Sequence, residues 1–64
     1  MNLNDVLVAL EKIRSCQSDD EIAHSMEDQL YADVLKYYAD GGTDPQLAIE
    51  ALKTEQMEFA RWCA

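Results

Sequence analysis

Apolar residues recur every three to four positions along three segments of the chain, a spacing that predicts amphipathic helices rather than strands. The first segment carries Leu3, Val6, Leu7, Leu10 and Ile13 at these positions. The second carries Ile22, Met26, Leu30, Val34 and the pair Tyr37 and Tyr38. The third carries Leu47, Ala48, Ala51, Leu52, Phe59 and Cys63. The pattern therefore predicts an all-α fold built from three helices.

The residues between the segments set the predicted helix boundaries. Ser18 and Glu21 have the spacing of a capping box, in which each side chain accepts a hydrogen bond from the other residue's backbone N–H. The pair Gly41–Gly42 suits the left-handed end of a helix. Pro45 disfavours helical geometry in the residue before it, so Asp44 is the expected N-cap of the next helix. The predicted helices cover about residues 5–16, 19–40 and 45–63 of a single domain over residues 1–64.

The second predicted helix is long for so small a protein. At 1.5 Å per residue it spans ~33 Å, whereas a compact chain of this length is about 28 Å across. A connection of about four residues should turn the third helix back as an antiparallel hairpin in which facing residue numbers sum to about 85. Two hairpins are expected to dimerise into a four-helix core, with the short N-terminal helix as an arm or lid. A monomeric three-helix bundle is the alternative.

A single hairpin leaves several large side chains without an assured place in its core. Exposed apolar surface of this kind is typical of a partner interface. We expect these residues to face a second copy of the chain or an unidentified partner protein. The predicted interface residues are Tyr31, Leu35, Ile49, Met57 and Trp62.

The charge of the chain narrows the classes of partner. Its 13 Asp and Glu residues against 5 Lys and Arg give a formal net charge of −8. Direct nucleic-acid binding and docking on anionic lipid both depend on clustered basic residues, so neither is expected. The chain begins without a signal-peptide pattern and contains no apolar stretch long enough to span a membrane, which favours a cytoplasmic protein. Its two cysteines are far apart and do not form a C-x-x-C motif.

One short motif has a chemical interpretation. Glu21 and His24 are three residues apart and therefore share a helix face, as the metal ligands of di-iron bundles do. A surface ion pair with Arg61 is the simpler interpretation, because the other ligands of such a site are missing from the sequence. His24 is the only histidine, which removes most nucleophile–base pairs. We predict no catalytic, cofactor-binding or metal-binding residue, and we do not expect an enzyme.

The segment from Ala51 to Ala64, taken with Met26 to Tyr31, resembles a family of short acidic helical proteins. These are the accessory proteins that lambdoid temperate phages encode between their excision and recombination genes. The resemblance implies a small dimeric helical hairpin made in the cytoplasm of a bacterial host. It also implies a regulatory role in phage development or host physiology through protein contacts, and it transfers no active-site residue.

Acidic residues spread along the second and third predicted helices allow a different function. A row of carboxylates can imitate a phosphate backbone, which would make the protein an inhibitor of a host defence or nucleic-acid enzyme. A solubilising surface is the plainer interpretation. The acidic residues concerned are Asp19, Asp20, Glu21, Glu27, Asp28, Asp33, Asp40, Glu50, Glu55 and Glu58.

Overall fold

Three α-helices and one 3-10 helix make up the computed structural model, which describes residues 1–59. The α-helices are α1 (Leu3–Ser15), α2 (Asp20–Ala39) and α3 (Gln46–Ala51), and the 3-10 helix covers Leu52–Gln56. No strand occurs within residues 1–59. The all-α fold predicted from the apolar spacing is therefore confirmed over the part of the chain that the structure describes.

Side-chain caps fix the start of both long helices. The Asn2 side chain accepts from the Asp5 amide at 3.0 Å, and the Asp5 carboxylate accepts from the Asn2 amide at 2.9 Å, so a capping box begins α1. Asp19 caps α2 by accepting from the Ile22 amide at 3.2 Å. The predicted cap at Ser18 is therefore wrong by one residue. Because the Asp19 carbonyl accepts the first helical bond, from Ala23, Asp19 itself occupies the N-cap position.

The end of α2 follows the predicted glycine signal. Gly41 has a φ of 96°, which is the left-handed conformation that glycine adopts without a steric penalty. The Gly41 amide donates to Tyr38 and the Gly42 amide donates to Tyr37, at 3.1 and 2.9 Å. These two bonds form a Schellman motif. A Cβ on Gly42 would overlap the Tyr37 ring, so this position also needs glycine for space.

The third helix is much shorter than the predicted 45–63. Pro45 is its N-cap, since the Pro45 carbonyl accepts the first helical bond, from Ile49, so the predicted N-cap at Asp44 is wrong by one residue. The Asp44 carboxylate accepts from the Gln46 amide at 2.9 Å. Helix α3 ends at Ala51. After the 3-10 helix, Met57 is extended, with φ −82° and ψ 145°. In a straight α-helix Met57 and Phe59 would lie about 200° apart around the axis. In an extended segment residues i and i+2 share a side, which lets both enter the core.

Helix α1 is a full member of the core rather than an arm or lid. It packs against both α2 and α3 and buries Val6, Leu10 and Ile13. The other buried apolar residues are Ala23, Leu30, Val34, Leu47, Ala51, Met57 and Phe59. Glu27 shares this buried stripe of α2 and is only 3% exposed, so it is not part of the acidic surface predicted for it. Because Glu27 occupies a core position, the buried stripe is rotated away from Ile22.

Candidate interaction groove between α2 and α3

An apolar groove runs between α2 and α3. Its volume is about 290 Å³, and its six lining residues carry no charged side chain. Val34 and Ala51 are buried at its floor, while Leu35 and Leu52 stand at its rim, 70% and 53% exposed. We call this surface the apolar groove; it is lined by Tyr31, Val34, Leu35, Ala48, Ala51 and Leu52.

Tyrosine hydroxyls hold the two sides of the apolar groove together. At one end the Tyr31 hydroxyl hydrogen bonds to the hydroxyl of Thr54, which is fully buried. At the other end the Tyr38 hydroxyl donates to the Asp44 carbonyl at 2.7 Å and accepts from the Ala48 amide at 3.2 Å. These bonds hold α3 and the 3-10 helix against α2, so the fold itself fixes the width of the groove.

The turn before α3 receives a further tyrosine contact. The Tyr37 hydroxyl accepts from the Asp44 amide at 3.0 Å. The Tyr37 and Tyr38 rings meet edge to face, with their centroids 4.8 Å apart. Edge-to-face pairs of this kind add to the stability that burial alone supplies. The apolar spacing places both rings on the apolar side of the second helix, and it contains no information on the hydroxyls, which hydrogen bond to the backbone of the turn and of α3.

The structure places the predicted interface residues in three different environments. Leu35 lines the groove and is exposed, and Tyr31 lines it and is partly buried. Ile49 is exposed on α3 but does not line the groove. Met57 is only 8% exposed and lies in the core, because the extended backbone at that residue directs it inward. Trp62 lies outside the described residues.

Leu52 was expected to share the buried face of α3 and is instead a rim residue of the groove. Leu47 and Ala51 are four residues apart and define the buried side. Leu52 is one residue further and therefore lies about 100° away around the axis. The spacing therefore already separates Leu52 from the buried side, but the predicted apolar face was broad enough to include Ala48, Ala51 and Leu52 together.

The opposite side of α2 faces α1 and has a different character. Two adjoining clefts of about 360 and 420 Å³ share Asp5, Ala9 and Asp33 as lining residues. Lys12 lines the first cleft, and Lys36 and Asp40 line the second. We call this surface, with its carboxylates Asp5, Asp33 and Asp40, the acidic trough. Two of its carboxylates already accept local hydrogen bonds, Asp5 from Asn2 and Asp33 from Gln29 at 2.9 Å.

The titratable groups elsewhere form short local pairs. His24 lies 3.5 Å from the Asp28 carboxylate, one helical turn away. The Lys53 ammonium lies 2.7 Å from Glu50 and donates to its carboxylate, which holds the pKa of Glu50 below its ordinary value of 4.5. Within residues 1–59, no group of three His, Cys, Asp or Glu side chains is arranged to hold a metal ion. Glu21 and His24 therefore have no further ligands among the described residues.

No protein-family model, curated protein or solved structure matches the chain. Across residues 1–59, no helix combines the length and the apolar character that a membrane span requires. The apolar groove and the acidic trough are therefore interpreted from their own geometry.

Proposed function

We propose that the protein is a small non-enzymatic regulatory accessory protein of the phage type, which acts through protein–protein contacts as a homodimer. In this proposal α2 and the short α3 of each copy meet their counterparts in a four-helix arrangement, while α1 stays packed in the core of its own copy. The protein would work in the cytoplasm of a bacterial host and influence phage development or host physiology. An unidentified host or phage protein would be its second partner.

The apolar groove is the observation that carries this proposal. Leu35 and Leu52 are exposed leucines on either side of one groove that is braced at both ends by hydrogen bonds. Exposed apolar surface on a small protein is a mark of an interaction site. A chain of this size also gains little stability from its own core, so association supplies what the monomer lacks.

The acidic trough supports a second candidate, an acidic inhibitor that imitates a nucleic-acid backbone. Asp5, Asp33 and Asp40 lie along one side of the molecule. Lys12 and Lys36 interrupt them, and burial removes Glu27 from the row. A backbone mimic needs a continuous negative surface, so this candidate is the weaker of the two.

Expression in a bacterial host tests the proposed function. We expect the wild-type protein to change phage burst size, lysogen frequency or host growth, and to co-purify with a specific protein. Leu35→Asp should abolish both effects, because a charge at the groove rim cannot be buried against a partner. Ile22→Asp is the matched control, since Ile22 is also an exposed apolar residue of α2 and does not line the groove.

The proposed function fails if the wild-type protein changes none of these properties and captures no specific protein. Capture that survives Leu35→Asp but weakens steeply with added salt would favour the acidic inhibitor instead. Loss of capture when Asp33 and Asp40 are both changed to Asn would point to the same conclusion.

A further inference from the structure

We infer that the occupant of the apolar groove is a second copy of the same chain, bound about a two-fold axis with Leu35 of each copy in the groove of the other. The inference rests on the proposed function, because it names the surface through which the proposed homodimer forms.

Self-complementarity is the first argument. A two-fold contact uses the same patch on both subunits, so that patch must contain both a projection and a recess. Leu35 is the most exposed of the large apolar residues described, at 70%, and it stands at the rim of the groove. The recess and the projection therefore lie side by side, so that two copies can exchange their Leu35 side chains.

The groove is large enough for this exchange. Its volume is about 290 Å³, whereas an apolar cavity of about 150 Å³ already holds a benzene molecule. A leucine side chain has fewer carbon atoms than benzene. The recess therefore has room for the partner's Leu35 and for part of a neighbouring side chain.

Charge distribution separates a second copy from a basic partner. None of the six residues that line the groove is charged, and the nearby Lys53 is already paired with Glu50 at 2.7 Å. The carboxylates of the acidic trough line clefts on the α1 side of α2. A basic helix in the apolar groove would thus find no facing carboxylate among the lining residues, whereas a second apolar groove fits the surface.

The area that a dimer needs is available. An interface of standard size takes about 800 Å² from each partner, just under a fifth of the 4330 Å² surface of this chain, so the contact must extend beyond the six lining residues onto the adjoining exposed faces of α2 and α3. The molecule measures 34 by 22 by 15 Å along its principal axes, so it is thin in one direction. Burial of this apolar face against a second copy adds to the small hydrophobic core that so short a chain can form by itself.

Sedimentation equilibrium of the purified full chain tests the inference. The wild type should have about twice the mass of 7.3 kDa at micromolar concentration. Leu35→Asp should raise the dimer dissociation constant at least about 30-fold, as loss of a central interface residue does. Ile22→Asp should leave that constant unchanged. Because Leu52 is also an exposed rim residue, Leu52→Asp should repeat the effect of Leu35→Asp.

Salt gives the same experiment a second readout. Each copy carries a net charge of −8, so the two copies repel one another at low ionic strength. Raising the salt from about 0.1 M to 1 M shortens the screening length from about 10 to 3 Å, and the wild-type dimer should tighten several-fold. Circular dichroism and thermal melting of each variant establish that the substituted chain is folded before its mass is interpreted.

A folded wild-type monomer at high micromolar concentration would overturn the inference. A dimer that persists in both Leu35→Asp and Leu52→Asp would overturn it as well, because the second copy would then sit elsewhere. A monomer that still captures a specific host protein would remove the homodimer from the proposed function and leave its regulatory role through protein contacts. If the wild type is a dimer but captures no other protein and has no effect in cells, the proposed function fails and the inference about the groove stands.

Discussion

On one side of α2 the apolar groove is lined by six uncharged residues, whereas on the other side the acidic trough places three carboxylates beside two ammonium groups. At the groove, the apolar side chains of Leu35 and Leu52 are exposed to solvent. In the trough, Asp5 and Asp33 accept hydrogen bonds from residues of their own helix or its cap. The comparison shows that charge and exposed apolar surface are separated in this molecule, and burial of the groove side against an apolar surface would release more free energy than burial of the trough.

The two surfaces also differ in what holds them in place. The trough lies between α1 and α2, whose capped starts depend on contacts three residues apart in the sequence. The groove depends on bonds between distant residues, such as Tyr31 with Thr54 and Ala48 with Tyr38. Loss of a hydroxyl from the groove bonds should therefore weaken the attachment of α3 and the 3-10 helix to α2, whereas neutralising a trough carboxylate should leave the packing of α1 on α2 unchanged.

Leu30→Ala should have the largest effect, because this residue is almost fully buried in the core that both surfaces share and also contributes to the trough cleft. Loss of a buried leucine costs about 2–5 kcal/mol of unfolding free energy. That range is close to the whole stability that one small core supplies. Thermal and urea unfolding should show a variant that is marginally folded or unfolded at 25 °C. A variant as stable as the wild type would contradict the core described for α2.

Thr54→Val should have an intermediate effect that is confined to the groove side. It removes the hydroxyl that bonds to Tyr31 while it keeps the size of a fully buried side chain. We expect a loss of about 1 kcal/mol in unfolding free energy. Tyr31→Phe is the matched variant, and the double variant should lose less than the sum of the two single losses. Strict additivity would mean that the two hydroxyls do not act as a pair.

Neutralising the trough should have the smallest effect on stability. Asp33→Asn and Asp40→Asn alter partly or fully exposed carboxylates, and exposed substitutions of this kind change unfolding free energy by about 0.5 kcal/mol or less. The dimer dissociation constant should fall slightly at low salt, because each change removes one negative charge from a chain of net charge −8. A marked weakening of the dimer would place the trough, rather than the groove, at the dimer interface.

Local signals in the sequence predicted the parts of the fold that local contacts determine. The glycine pair ends α2 as expected, and the next helix begins beside Pro45, although Pro45 rather than Asp44 is its N-cap. The starts of α1 and α2 lie within two residues of the predictions, because cap positions are set by side chains a few residues away. Tyr31 and Leu35, which helical spacing predicts to be interface residues, both line the apolar groove.

The rest depends on contacts that sequence spacing does not contain. The Glu58 amide donates to the Gln17 side chain at 2.9 Å, across 41 residues of chain. This contact accompanies the extended backbone that turns Met57 and Phe59 into the core, so a helical pattern continued through Met57 was misleading. Glu27 shows the reverse case, since a charged residue in a core position shifted the predicted stripe of α2 toward Ile22.

The most direct test of the account is the set of contacts that Leu35 makes across the proposed two-fold axis. A mixed sample of isotope-labelled and unlabelled copies reports, by isotope-filtered nuclear Overhauser spectroscopy, only contacts between different molecules. We expect the Leu35 methyl groups of one copy to contact Ala48 and Leu52 of the other. Intermolecular contacts confined to the acidic trough, or none at concentrations well above the dissociation constant, would contradict the central claim that the apolar groove binds a second copy.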